Sequence, residues 1–124
     1  MSFINGAMEI IVLVAIFIIV ILAHELGHAI AYRKITGQGV RWSFDLKRRR
    51  LGVLADLSLL PQKDKLAIYY WGFLAGLLTL GFFLGIFNMS PFTCSIMVLG
   101  YSIGSWRDIY QMFRITVSMR RDRR

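Results

Sequence analysis

The chain has 124 residues, is 56% hydrophobic, and carries a formal net charge of +8 from 15 Lys and Arg against 7 Asp and Glu. With a mean hydropathy of +0.58 it is too apolar for an ordinary soluble domain and too short for more than one unit, so 1–124 reads as a single domain in a bilayer. All 15 basic residues fall within 33–65 and 107–124, and none in 1–32 or 66–106, which separates the charge from the apolar segments and argues against a nucleic-acid surface.

Three segments, 8–32, 66–87 and 92–113, reach the roughly 20 mostly apolar residues that a crossing requires. The expected fold class is therefore an all-α membrane protein with three transmembrane helices. Three crossings put both basic blocks on one side, which the positive-inside tendency makes the cytoplasm, leaving the N-terminus outside. Lys47-Arg48-Arg49-Arg50 and the tail 114–124 with Arg120, Arg121, Arg123 and Arg124 then read as solvated or headgroup-facing charge. No basic region precedes the first apolar run and no small-residue cleavage site ends it, so a cleaved signal peptide is not expected. Cys94 is the single cysteine, which excludes an intrachain disulfide and a thiolate cluster.

The first apolar run ends in His24-Glu25-Leu26-Gly27-His28. Residues four apart lie on one helix face, so the two imidazoles can grip one zinc ion, and Glu25 beside them can take a proton from a water on the metal. These are the only histidines in the chain, and Glu25 is one of two glutamates. Ionisable groups near hydrocarbon cost roughly 2.5–3.5 kcal/mol each, and a metal supplies a compensating reason for them.

Further along, the segment 33–65 is the only sizeable connection. Gly37-Gln38-Gly39 breaks the helix, 40–44 alternates like a half-buried strand, and 51–57 is its expected partner in a small cytoplasmic β-hairpin. Its edge could pair with an extended peptide; an amphipathic linker on lipid headgroups reads equally well. The second span carries Gly72-x-x-x-Gly76 and Gly81-x-x-x-Gly85, both close-packing signals. Ser90 and Pro91 look like an N-cap and first helical residue for the third span, on which Gly100, Gly104 and Asp108 repeat at four-residue spacing and share a face.

A catalytic zinc needs a third protein ligand, and with no other histidine or downstream glutamate the search falls to aspartate. Asp45, Asp64 and Asp122 stand among basic residues in aqueous segments, and Asp56 is a fallback. Asp108 is favoured by depth: it lies 16 residues beyond Phe92, and His24 lies 14 beyond Ile10, about 24 and 21 Å along their helices.

With these residues in place the chain resembles the site-2 protease family of intramembrane zinc metalloproteases. His24-Glu25-Leu26-Gly27-His28-Ala29 is similar to the family's zinc motif, Gly72-Phe73-Leu74-Ala75-Gly76-Leu77-Leu78-Thr79 to its Ala-Gly-Pro-x-x-Asn stretch, and Asp108 to its metal-binding aspartate. Thr79 stands where the family usually has asparagine, Leu77 replaces proline, and Ile109 follows the aspartate in place of glycine. The resemblance implies a Zn2+-dependent endopeptidase that cuts membrane-embedded polypeptide substrates near the cytoplasmic face, with His24, His28 and Asp108 as metal ligands, Glu25 as base and Thr79 as a substrate-contacting helper. A metal-binding or metal-transporting membrane protein without hydrolysis is the alternative, and an inactive relative that only binds other helices is a third.

Overall fold

The long apolar run does form one helix. The computed structural model describes the backbone of 3–45, 50–54 and 57–124, and the side chains of 6–42 and 57–124. Helix α1 covers Phe3–Thr36, 34 residues or about 51 Å. It stops where the sequence supplies a stop: Gly37 takes φ +71, and its N–H donates to Arg33 O at 2.8 Å, the left-handed cap that glycine adopts without steric cost. Arg33 and Lys34 in the last turn complement the negative end of the helix dipole.

The expected hairpin follows, with β1 (Arg41–Asp45) antiparallel to β2 (Arg50–Leu54), Arg41 opposite Leu54 and Asp45 opposite Arg50. Asp56 and residues 46–49 lie outside the described residues, as does the side chain of Asp45. Helix α2 (Gln62–Ile86) then runs 25 residues, about 38 Å. Asn88 at φ 48 turns the chain, and Ser90 Oγ accepts the Thr93 N–H at 3.2 Å with Pro91 in the first turn, so the cap expected there is present.

The expected third span, 92–113, is not one helix. Helix α3 (Pro91–Gly104) has 14 residues, about 21 Å, short of a hydrocarbon core about 30 Å thick. Ser105 leaves helical geometry at φ −95 and ψ 11, and α4 (Trp106–Asp122) begins after it. The break falls at a Gly–Ser pair, a recurrent kink site, and just before the first charges, Arg107 and Asp108. Among the described residues, α1 and α2 are thus the two helices long and apolar enough to cross a membrane.

Packing follows one row of small and branched residues. The buried positions of α2 are Ile68, Gly72, Gly76, Leu80 and Leu84, a strict repeat of four that forms a single ridge. Toward one end Ile16 and Val20 of α1 meet Leu80, Leu84, Met97 and Tyr101. Toward the other, Ala31 and Tyr32 meet Ile68. Gly27 lets the α1 and α2 backbones touch between these clusters, for a Cβ there would come within 2.7 Å of Trp71 O and 2.9 Å of Gly72 Cα. The large apolar residues turn outward: Ile10, Ile11, Val14, Ile18 and Leu22 on α1 are all exposed. Only 11% of the apolar window of α1 and 22% of that of α2 are buried, whereas a core helix of a soluble protein would be mostly covered.

The glycine repeats thus divide in two. Gly72 and Gly76 face neighbouring side chains, while a side chain at Gly81 or Gly85 would meet nothing within 4 Å; of the expected shared face, Gly100 lies against Phe17 of α1 and Asp108 against its histidines, and Gly104 alone is open. Gly27→Ala should therefore lower stability by about 1–3 kcal/mol through overpacking. Gly81→Ala should raise it by up to about 1 kcal/mol through helix propensity. Thermal unfolding of the two variants in detergent, side by side, checks the contrast.

Candidate metal centre

Between the two apolar clusters, α1 presents His24 and His28 one turn apart, and the row of small residues on α2 makes room for them. A Cβ at Gly72 would collide with the His28 ring, and one at Gly76 with the Tyr101 phenol, so both glycines are needed as cradles rather than as general packing aids. α3 and α4 run back along α2, bringing Tyr101 against Phe73 and Asp108 against both histidines.

The three expected ligands converge. His24 Nε2 lies 2.6 Å from Asp108 Oδ2, His28 Nε2 lies 2.9 Å from the same oxygen, and the two Nε2 atoms are 3.0 Å apart. His24 is buried and the other two are partly buried, and together they form a group that can hold a metal ion.

The ring tautomers follow from the hydrogen bonds on the far side of each imidazole. His28 Nδ1 is 2.8 Å from Ile68 O, and a carbonyl only accepts, so that nitrogen carries a proton. Tyr101 O–H donates to Phe73 O at 2.7 Å, which leaves its oxygen to accept from His24 Nδ1 at 2.7 Å. Both neutral rings therefore direct an Nε2 lone pair at the carboxylate. Three electron-pair donors within 3.0 Å of one another repel unless a cation lies among them, either protons on the rings or a metal ion. Tetrahedral coordination at about 2.0–2.1 Å sets ligand atoms about 3.3 Å apart, so the three pairs open by roughly 0.3–0.7 Å to take an ion. Outward Nδ1–H donation to a carbonyl or hydroxyl is also the usual support of a metal-bound histidine.

Asp108 lies in the first turn of α4, outside the two candidate spans. Burial alone would raise its carboxyl, but where the rings carry Nε2 protons, hydrogen bonds from His24 and then His28 outweigh that and hold it well below the usual carboxylate range.

Of the other expected residues, Glu25 is half-buried on α1, next in the chain to His24. Thr79 is three residues beyond Gly76, and its hydroxyl donates to Ala75 O at 2.8 Å, a bond within its own helix that does not join it to the cluster. Asp64 is in the first turn of α2 and Asp122 closes α4, both apart from the group. Tyr101 was not among the expected residues. No spacing within its helix marks it, since the chain breaks at Ser105 between Tyr101 and Asp108.

Tyr101→Phe keeps the ring packing and removes the acceptor for His24 Nδ1, so metal affinity should drop about 10–100-fold. Gly72→Ala should reduce it further by displacing His28, and Asp108→Ala should nearly abolish it, while Asp64→Ala leaves it unchanged. Titration of metal-stripped protein with zinc, with elution in detergent as the check on folding, measures all four.

Comparison with protein-family models, with characterised proteins and with solved structures gives no match to this chain.

Proposed function

We propose that this protein is a zinc-dependent intramembrane endopeptidase. The observation that carries the reading is the triangle of His24 Nε2, His28 Nε2 and Asp108 Oδ2, with both Nδ1 protons committed outward and Glu25 next in the chain. Two nitrogens and one carboxylate oxygen make a borderline-soft donor set suited to zinc, and three protein ligands leave the open position of a catalytic site. Zinc, when bound there, supplies a Lewis acid that lowers the pKa of a coordinated water to about 7.

The rest is the work of this chain's own residues. Glu25 receives the proton of the attacking water and passes it to the leaving amine, a role that fits its half-buried position beside the ligand pair. Tyr101 and the carbonyl of Ile68 hold the two imidazoles in the tautomer that faces Asp108. The exposed apolar surfaces of α1 and α2 face lipid, and α3 with α4 forms a broken return that brings Asp108 to the level of the histidines. In this orientation the N-terminus is outside, the hairpin and C-terminus are cytoplasmic, and the substrate is a membrane-embedded polypeptide cut near the cytoplasmic face. The outer edges of the hairpin offer backbone pairing to a substrate segment opened from its helix. Thr79 would reach a substrate only by giving up its bond to Ala75.

Glu25→Gln should bind zinc as the wild type does and lose about 10²–10⁴ in cleavage rate, because an amide of the same shape cannot take the proton. Reconstituted single-span substrates read the rate. Equal cleavage by both proteins would remove Glu25 as the base, and zinc binding with no cleavage by either would favour the non-hydrolytic metal-binding reading. For orientation, a tag at Met1 should be reachable from outside intact cells and one at Arg124 only after permeabilisation.

A further inference from the structure

Next to the metal centre, between the start of α2 and the middle of α4, is a polar cleft of about 280 Å³. From α2 it is lined by Gln62, Lys65 and Tyr69, spaced three and four apart along one face; from α4 by Gln111, Arg114 and Ser118, spaced three and four apart as well. Two helices thus face each other across a gap carrying two cations and neutral hydrogen-bonding groups. Among the described residues neither Lys65 nor Arg114 has an acidic partner. Tyr69 is the wall shared with the metal site, its ring edge-on to His28 at 6.1 Å.

The level of the cleft is given by its neighbours. Ile68 packs on Ala31 and Tyr32, and the next residues of α1, Arg33 and Lys34, are exposed charges. Lys65, one turn before Ile68, therefore lies where the apolar surface of α1 gives way to charge. α4 adds a second observation: Trp106, Tyr110, Phe113 and Val117 are exposed at spacings of four, three and four, an apolar stripe on the side of the helix away from the cleft. Arg114 lies on the border between that stripe and the cleft face.

We infer that the cleft is a binding site for the phosphate of an anionic glycerophospholipid. Lys65 and Arg114 hold the phosphate, Gln62, Gln111 and Ser118 accept or donate to the glycerol side, and the acyl chains run along the apolar stripe of α4. The site places a lipid beside His28, with Tyr69 between them. The inference rests on the membrane reading but not on proteolysis, and flotation with neutral phosphatidylcholine vesicles tests the membrane reading by itself.

The test is native mass spectrometry of the full-length protein in detergent, titrated with phosphatidylglycerol or phosphatidylcholine, with inorganic phosphate as competitor. The wild type should retain one phosphatidylglycerol in preference to phosphatidylcholine. Lys65→Gln with Arg114→Gln should weaken retention about 30-fold, from roughly fivefold per basic group at an anionic surface. Zinc content and elution should stay as in the wild type. Ser118→Leu, which fills the cleft and keeps both charges, should also lose the lipid, whereas replacing Arg120, Arg121, Arg123 and Arg124 by Gln should not. Equal retention by the wild type, the double variant and Ser118→Leu overturns the site. Full displacement by millimolar inorganic phosphate overturns the lipid as its occupant, and flotation failure with phosphatidylglycerol retention intact would count against the membrane reading alone.

Discussion

Two imidazole nitrogens and one carboxylate oxygen meet within 3.0 Å, and the surrounding structure is arranged to let them do so. Lone pairs at such distances repel, so the triangle is stable only with positive charge inside it. The nearby contacts answer that requirement from the outside. Ile68 O and the Tyr101 hydroxyl take the Nδ1 protons and so aim the lone pairs inward, while Gly72 and Gly76 remove the side chains that would displace the His28 ring and the Tyr101 phenol. A methyl group at either glycine would undo the convergence without touching a ligand atom.

The same ridge on α2 therefore serves packing and chemistry in alternate stretches. Leu80 and Leu84 close one end with Ile16 and Val20, and Ile68 closes the other with Ala31 and Tyr32. Polar groups are confined to the gap between, where each buried side-chain polar atom among the described residues has a partner. In a lipid setting an unsatisfied group would cost several kcal/mol. On the proposed membrane reading, the outward-turned apolar side chains exchange burial for lipid contact, and close approach of small residues holds α1 against α2.

How much of this could be read from the chain depended on whether the signal was local. The histidine pair at four-residue spacing, the Gly37 stop, the Ser90 cap and the paired hairpin strands follow from short-range patterns, and the structure has all of them. Asp108 was reached by elimination and depth, and it does meet the histidines, although the helix breaks at Ser105 and Gly104, expected on the same face, meets nothing. That break was hidden by hydropathy, which counts Gly104 and Ser105 as tolerable within a span and says nothing of φ and ψ. Tyr101 and the distinction between Gly72–Gly76 and Gly81–Gly85 depend on which residues of another helix stand opposite, which no spacing within one helix reveals.

Zinc-edge X-ray absorption on the purified protein tests most directly whether the triangle holds zinc. The expected result is one zinc per chain, with two imidazole nitrogens and a carboxylate oxygen at about 2.0–2.2 Å and no sulfur in the shell. Protein that stays free of zinc after exposure to it, or a spectrum with a sulfur at about 2.3 Å, would contradict it.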